Sequence, residues 1–152
     1  MFFDELKLNQ KIEIPAVEIK KEDMMDFAAK YDSRPLHLDE NYAKNTAFHD
    51  LIAPGVFSFM IMWNKYLERD FFGTQFLAGQ STKIEWIAPV YAGDALHGDV
   101  YISNLVSRNE KNGLVELTFS LYNQRSELVL TNITECIVKK DIKLPHGNEK
   151  SA

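Results

Sequence analysis

Two side chains able to transfer protons lie five positions apart in the first third of the chain: the carboxylate of Asp32 and the imidazole of His37. Pro35 lies between them and restricts the backbone, so we expect a constrained loop here. A carboxylate and an imidazole that face one water molecule can activate it and exchange protons with it. The spacing also fits a simpler interpretation, in which Asp32 only caps a turn and His37 is an ordinary core or surface residue.

A proline and a glycine open the most apolar segment of the chain. Pro54 and Gly55 precede a run of mostly apolar residues that continues to Leu67. The free backbone N–H groups at the start of a helix, together with the helix dipole, can stabilise a developing oxyanion. Because glycine has no side chain, a ligand carbonyl could approach the backbone of Gly55 closely. The sequence therefore predicts an oxyanion-binding position at Gly55.

The remaining histidines and the single cysteine show no spacing typical of a ligand set. His97 falls on the polar face of a predicted strand, His146 lies near the C-terminal end, and His49 is only a weak candidate for a ligand-binding role. Cys136 is predicted to lie in the core. Metal sites need closely spaced donors, and nucleotide sites need a glycine-rich loop, and neither pattern occurs. We expect no metal and no redox or nucleotide cofactor.

The composition is that of an ordinary globular protein, with 45% hydrophobic residues, 26% charged residues and a net charge of −5. A mildly acidic chain is a poor partner for nucleic acid, because phosphate binding needs an excess of Lys and Arg. The longest apolar run, from Leu51 to Trp63, contains Pro54 and is shorter than the ~20 residues of a membrane helix. The first residues lack a signal-peptide pattern, and one cysteine cannot form an intramolecular disulfide. We expect a cytoplasmic protein that does not associate with membranes.

The elements that must position these residues change in character along the chain. The first half predicts a short strand at 12–17, a helix at 22–30, and a second helix at 39–46 with Asp39 as its N-cap. The helix that begins at Gly55 is apolar on nearly every side, which predicts that it is buried.

From Ser81 onward, apolar and polar residues alternate, as in antiparallel strands with one face on a core. Asn112 and Gly113 indicate a hairpin turn between two of these strands. The sequence thus predicts the α+β class, with an antiparallel sheet of about five strands wrapped around one long helix. We expect one domain over residues 1–142 and a polar C-terminal tail over residues 143–152.

Three motifs resemble those of the MaoC-like (R)-specific enoyl-CoA hydratases, which have the hot-dog fold. Asp32-Ser33-Arg34-Pro35-Leu36-His37 is similar to the hydratase motif Asp-x-Asn-Pro-(Leu/Ile)-His of that family. Ile52-Ala53-Pro54-Gly55 lies where the family has a glycine that opens the long helix. Pro89-Val90-Tyr91-Ala92-Gly93-Asp94 resembles the family's Pro-Val-x-x-Gly-Asp turn, which supports the fold rather than the activity. The resemblance spans residues 12–139.

The resemblance implies two sets of site residues, namely Asp32, His37 and Gly55 for catalysis and Tyr31, Arg34, Pro54 and Phe57 for substrate binding. Two departures lie in the first motif, where Arg34 replaces the usual Asn and Tyr31 the usual Gly. Arg34 acts either on Asp32, as a permanent positive charge two residues away, or on the substrate, by recognising a carboxylated or otherwise polar acyl group. Pro54 replaces a His that is frequent before the helix glycine, which is a mild change.

By resemblance, the expected activity is that of a hydro-lyase that adds water to a trans-2-enoyl thioester of CoA or of an acyl carrier protein. The expected product is the (R)-3-hydroxyacyl thioester. Two alternatives stay open on the same fold: a non-catalytic acyl-CoA-binding protein, which Arg34 and Tyr31 favour, and a thioesterase. Exposed sheet edges and the resemblance both predict a homodimer or a higher homo-oligomer.

Overall fold

One antiparallel sheet dominates the computed structural model, which describes residues 1–143. Of the predicted polar tail, only Lys143 lies inside this range. The sheet has the strand order β1-β3-β4-β5-β2. Its strands are β1 (Lys11–Glu18), β2 (Phe76–Trp86), β3 (Ala95–Ser107), β4 (Asn112–Tyr122) and β5 (Leu128–Lys139). The five-stranded antiparallel sheet is therefore confirmed, with β1 and β2 as its edges.

Four helices lie on the chain before β2. They are α1 (Lys21–Tyr31), α2 (Pro35–Leu38), α3 (Glu40–Lys44) and α4 (Gly55–Leu67). Two short 3-10 turns, Phe3–Glu5 and Gly73–Gln75, complete the described elements. Asp39 caps α3 as expected, because its Oδ1 accepts the Tyr42 backbone N–H at 3.1 Å.

The core forms where α4 lies against the inner face of the sheet. Phe119 of β4 is fully buried and contacts three aromatic rings of α4, those of Phe59, Trp63 and Tyr66, at centroid distances of 5.5, 5.6 and 5.6 Å. Each buried aromatic side chain contributes about 1.5–3 kcal/mol of hydrophobic stabilisation. This packing is the α+β arrangement of a sheet around one long helix that the sequence predicts.

Cys136 belongs to the same core, as expected. It lies in β5, opposite Val115 of β4 on one side and Gly79 of β2 on the other. Its side chain is fully buried, and removal from water raises the pKa of its thiol to about 12.

The expectation that α4 is buried on every side is wrong for the single chain. Val56, Met60 and Leu67 are 46%, 47% and 44% exposed. The sheet covers only one side of the helix, so the remaining apolar residues form a stripe that faces outward.

The predicted turn at Asn112 and Gly113 is also wrong, since both residues begin β4 and the turn comprises 108–111. Gly113 pairs with Ser107 in β3 and with Val138 in β5. A side chain at this position would overlap the ring of Phe3, so the glycine is required by packing of the N-terminal segment and not by a turn.

The segment after Asp32 is not only a loop, because Pro35 starts the short helix α2, which contains His37. Proline is favourable at a first helical position, where its missing N–H would be unpaired in any case. The first motif therefore places His37 on a helical turn that directly follows α1.

Candidate active site

Asp32 and His37 face each other at the end of α1. Asp32 caps this helix, with its backbone N–H donating to Ala28 O at 2.9 Å. Its Oδ2 lies 3.4 Å from His37 Nε2. The Asp32 side chain is 33% exposed and that of His37 is 7% exposed. The structure thus brings the predicted pair together, with the carboxylate partly exposed to solvent and the imidazole buried.

A second hydrogen bond sets the proton arrangement on the imidazole. His37 Nδ1 lies 2.7 Å from the carbonyl oxygen of Ile52, which can only accept a hydrogen. Nδ1 therefore carries a proton, and in the neutral ring Nε2 presents a lone pair towards Asp32. A single water molecule can then donate one of its hydrogens to the carboxylate and the other to Nε2.

The carbonyl that holds His37 is itself fixed by the Pro-Val-x-x-Gly-Asp turn. Ile52 forms a β-bridge with Tyr91, and the Ala53 N–H donates to Val90 O at 2.8 Å. Asp94 is buried and closes this turn, with its Oδ2 accepting the Tyr91 N–H at 2.9 Å. The turn therefore supports the site as well as the fold, which the sequence argument missed.

Gly55 begins α4 directly behind this segment, at the predicted oxyanion position. A Cβ at residue 55 would overlap the indole of Trp86, which packs against the start of the helix. The glycine is thus required by the close approach of a side chain from the edge strand β2. Its backbone N–H lies in the first turn of α4, where no carbonyl of the helix can pair with it.

Asp32, His37 and Gly55 border the same cavity, which has a volume of about 420 Å³. Its polar wall includes Asp32, Arg34, His37 and Ser58, and the start of α4 contributes Gly55. The rest of the wall is mainly apolar, with Leu36, Phe48, Ile52, Ala53, Val56, Trp86, Ile87, Ala88, Pro89, Val90, Val129 and Leu130. An apolar cavity with few convergent polar groups is the usual form of a small-molecule site.

The predicted substrate-binding residues divide into two groups. Arg34 borders the cavity, with its Nε 3.4 Å from Asp32 Oδ1, and its side chain is 78% exposed. Tyr31, Pro54 and Phe57 are not among the residues that border the cavity. Tyr31 is 73% exposed, whereas Phe57 is buried in the core. The substrate-binding roles of these three residues therefore stay predictions.

Two further residues of the cavity wall escaped the sequence argument. Ser58 follows Gly55 by three positions, and helical spacing could have placed both on one face. Trp86 lies far from Gly55 in sequence and reaches it only through the pairing of β2 with β5. No local pattern could have indicated that contact.

Within residues 1–143, no cluster of three His, Cys, Asp or Glu side chains could hold a metal ion. No helix in the same range is long and apolar enough to cross a membrane.

A comparison with protein families shows which family this chain belongs to. Residues 5–122 match the family model described as a MaoC like domain. The chain belongs to the MaoC-like domain family. The match includes both MaoC-like motifs that border the cavity and the turn that holds Ile52 in place.

Individual relatives cover nearly the whole chain. YdeM of Bacillus subtilis (strain 168), an uncharacterized protein, is 27% identical over 141 residues, 92% of this chain and all of YdeM. The structure of the monoamine oxidase regulatory protein from Archaeoglobus fulgidus superposes with a TM-score of 0.86 at 27% identity, covering 93% of this chain and 95% of that one. The R-hydratase PhaJ1 from Pseudomonas aeruginosa superposes with a TM-score of 0.75 at 25% identity, covering 92% and 86%. The predicted MaoC-like family and hot-dog fold are therefore confirmed.

Proposed function

We propose that this MaoC-like protein is a hydro-lyase that adds water to a trans-2-enoyl thioester of CoA or of an acyl carrier protein, or removes it from the 3-hydroxyacyl thioester. The observation that carries the proposal is the pairing of Asp32 Oδ2 with His37 Nε2 at 3.4 Å on the wall of an apolar cavity. Similarity to an R-hydratase of the same fold supports it.

The pair would position and activate the water. Asp32 and the neutral His37 both present acceptors, so a water between them has its lone pairs free to face the substrate. As the water oxygen attacks C3 of the enoyl thioester, Asp32 takes one proton from the water. Asp32 then returns this proton to C2, which completes the addition of water across the double bond and leaves the carboxylate in its starting charge state.

The start of α4 would stabilise the charge that develops on the thioester. Attack at C3 moves the electron pair of the double bond towards the carbonyl oxygen and produces an enolate. The Gly55 N–H and the positive end of the dipole of the 13-residue helix α4 favour negative charge at this point. Neither step requires a group beyond these residues and the substrate.

Arg34 favours a second function, in which the cavity binds an acyl thioester without converting it. Its guanidinium lies 3.4 Å from Asp32, on the carboxylate that would otherwise receive the proton from water. If Arg34 instead recognises a polar acyl group, Arg34→Asn shifts the substrate preference towards plain alkyl enoyl-CoAs. If Arg34 instead prevents hydration, the wild-type protein has low hydratase activity and Arg34→Asn raises it.

A homodimer completes the proposal. The edge strand β2 has no neighbour on its outer side within residues 1–143, and it ends beside the cavity at Trp86. Trp86 and the next residue, Ile87, are 57% and 53% exposed. Unpaired edges are normally covered or paired, and two-fold pairing of identical edges is the commonest closed arrangement. We propose that a second copy pairs with β2 and covers this end of the cavity.

The deciding experiment follows crotonyl-CoA in two channels, loss of the enoyl absorbance and release of free thiol. The proposed hydro-lyase removes the enoyl absorbance without releasing thiol. Thiol release would show a thioesterase instead. Binding of butyryl-CoA with neither reaction would identify a non-catalytic thioester-binding protein.

A further inference from the structure

Ser58 carries a buried hydroxyl that the rest of the protein does not use. Its side chain is 1% exposed, in the first turn of α4. Among buried side-chain nitrogen and oxygen atoms of residues 1–143, only Ser58 Oγ has no hydrogen-bond partner. A serine inside a helix often donates to the carbonyl four residues back. Here that carbonyl, of Pro54, accepts the Ser58 backbone N–H at 3.2 Å, and the hydroxyl makes no such bond.

Buried polar groups elsewhere on the inner face of the sheet do have partners. The buried Asn132 and Thr134 form a closed ring of hydrogen bonds with the exposed Thr82, with distances of 2.6 to 2.8 Å. Hydroxyl groups that stabilise the sheet therefore have hydrogen-bond partners within the protein. A hydroxyl left unpaired at the wall of a cavity costs stability, and such exceptions in native proteins call for an explanation.

Helix geometry points the hydroxyl towards the proposed oxyanion position. Residues three apart share one helix face, so Ser58 lies on the Gly55 side of α4. Side chains lean towards the N-terminus of their helix, which brings the Ser58 hydroxyl back towards Gly55. Ser58, Gly55, Asp32 and His37 all border the same cavity.

We propose that Ser58 donates a hydrogen bond to the carbonyl oxygen of the bound thioester, as a second donor beside the Gly55 N–H. The inference deepens the proposed hydro-lyase function and rests on it. As water attacks C3, the electron pair of the double bond moves to the carbonyl oxygen, and both donors face the new negative charge. When C2 takes its proton, the electron pair returns and the carbonyl is restored. Ser58 donates throughout and gives up no proton.

The test compares two alanine substitutions of serine. Ser58→Ala removes the unpaired hydroxyl, and we expect kcat for crotonyl-CoA to fall about 10²-fold, the usual loss for one oxyanion donor. The melting temperature should stay the same or rise by about 2–4 °C, because a buried unsatisfied group is gone. A purely structural serine would not combine loss of turnover with unchanged or increased stability.

Ser103 provides the matched control. Its hydroxyl donates to Glu116 O at 3.2 Å and accepts from Thr118 at 2.8 Å, outside the residues that border the cavity. Ser103→Ala should lower the melting temperature and leave kcat unchanged, the opposite result on both measurements.

Binding of butyryl-CoA, a thioester without the reactive double bond, separates this inference from the proposed function. We expect Ser58→Ala to weaken binding several-fold. If the wild-type protein binds butyryl-CoA but hydrates nothing, hydration is wrong and Ser58 is judged by binding alone. Unchanged binding in Ser58→Ala, together with unchanged kcat wherever turnover occurs, would overturn the role of Ser58. A wild-type protein that binds neither thioester overturns both proposals.

Discussion

At the scale of single residues, the hydrogen bond from His37 Nδ1 to Ile52 O orders the candidate site. It fixes the imidazole so that Nε2 faces Asp32. Both motif residues could be predicted because their short, proline-restricted segment resembles the hydratase motif, whereas their spacing alone also fitted a capping role for Asp32. Ser58 could not be recognised in the same way, because the feature that distinguishes it, a missing hydrogen-bond partner, exists only in the folded chain.

The first prediction concerns the pair itself. Asp32→Asn and His37→Ala should each lower kcat for crotonyl-CoA by about 10²- to 10⁴-fold, since Asp32 takes the proton of the water and His37 holds that water in place. His97→Ala is the control, because that ring stacks on Tyr122 at 5.8 Å and does not border the cavity. Steady-state kinetics with circular dichroism melting curves check the prediction. Near-normal turnover in either folded variant would remove that residue from the mechanism.

The second prediction tests why residue 55 is glycine. Gly55→Ala places a methyl group into the indole of Trp86 and should destabilise the protein by about 1–3 kcal/mol through overpacking. In the double variant with Trp86→Ala, most of this extra cost should disappear, so the double variant should lose less stability than the sum of the two single variants in a double-mutant cycle.

Gly79→Ala is the matched control for that cycle, since a Cβ there meets no atom within 4 Å. Its free energy of unfolding in urea should change by less than about 0.5 kcal/mol, as for most surface substitutions. If the effects of Gly55→Ala and Trp86→Ala are additive, the contact with Trp86 is not the reason that residue 55 is glycine.

At the scale of elements, periodicity predicted the helices and strands, and long-range packing decided where the prediction failed. The cap of Asp39 on α3 is local and was predicted correctly. The hairpin was misplaced because Gly113 is needed by Phe3, more than a hundred residues away in sequence. The Pro-Val-x-x-Gly-Asp turn was expected to serve only the fold, yet it also holds the carbonyl that positions His37.

The third prediction follows from this turn. Asp94→Ala removes the acceptor of the Tyr91 N–H and should cost about 1–3 kcal/mol of unfolding free energy. Because Ile52 is then held less firmly, kcat should fall more than KM rises. Asp99→Ala is the control, since Asp99 lies in β3 and pairs only loosely with Lys11 at 3.5 Å. Loss of stability with an unchanged kcat would limit Asp94 to a structural role.

At the scale of the whole molecule, two elements that border the cavity expose several apolar side chains each. The edge strand β2 exposes Phe76, Leu77 and Trp86, and α4 exposes Val56 and Met60. The sequence indicated that α4 is apolar all round, which is true of its composition. It could not show that one side stays open, because that depends on how far the sheet curves around the helix.

The fourth prediction concerns this surface. Light scattering at micromolar concentration should give about 35 kDa, twice the 17.5 kDa of one chain. Leu77→Asp on β2 should shift the protein towards the monomer and lower turnover, because the end of the cavity loses its cover. Val106→Asp is the control, since Val106 is 44% exposed on β3. A fully active wild-type monomer would contradict both the dimer and its role at the cavity.

Labelling of the buried thiol of Cys136 can be used to measure how fast the protein unfolds locally. At neutral pH a thiol with a pKa of about 12 is almost entirely protonated, and β4 and β2 flank it on both sides. A thiol-specific dye should therefore label the native protein only as fast as the sheet opens, and at saturating dye the labelling rate should equal the opening rate. If a ligand holds the folded state closed, it should slow labelling in proportion to its occupancy. One cysteine could thus serve to screen candidate thioesters without any measurement of turnover.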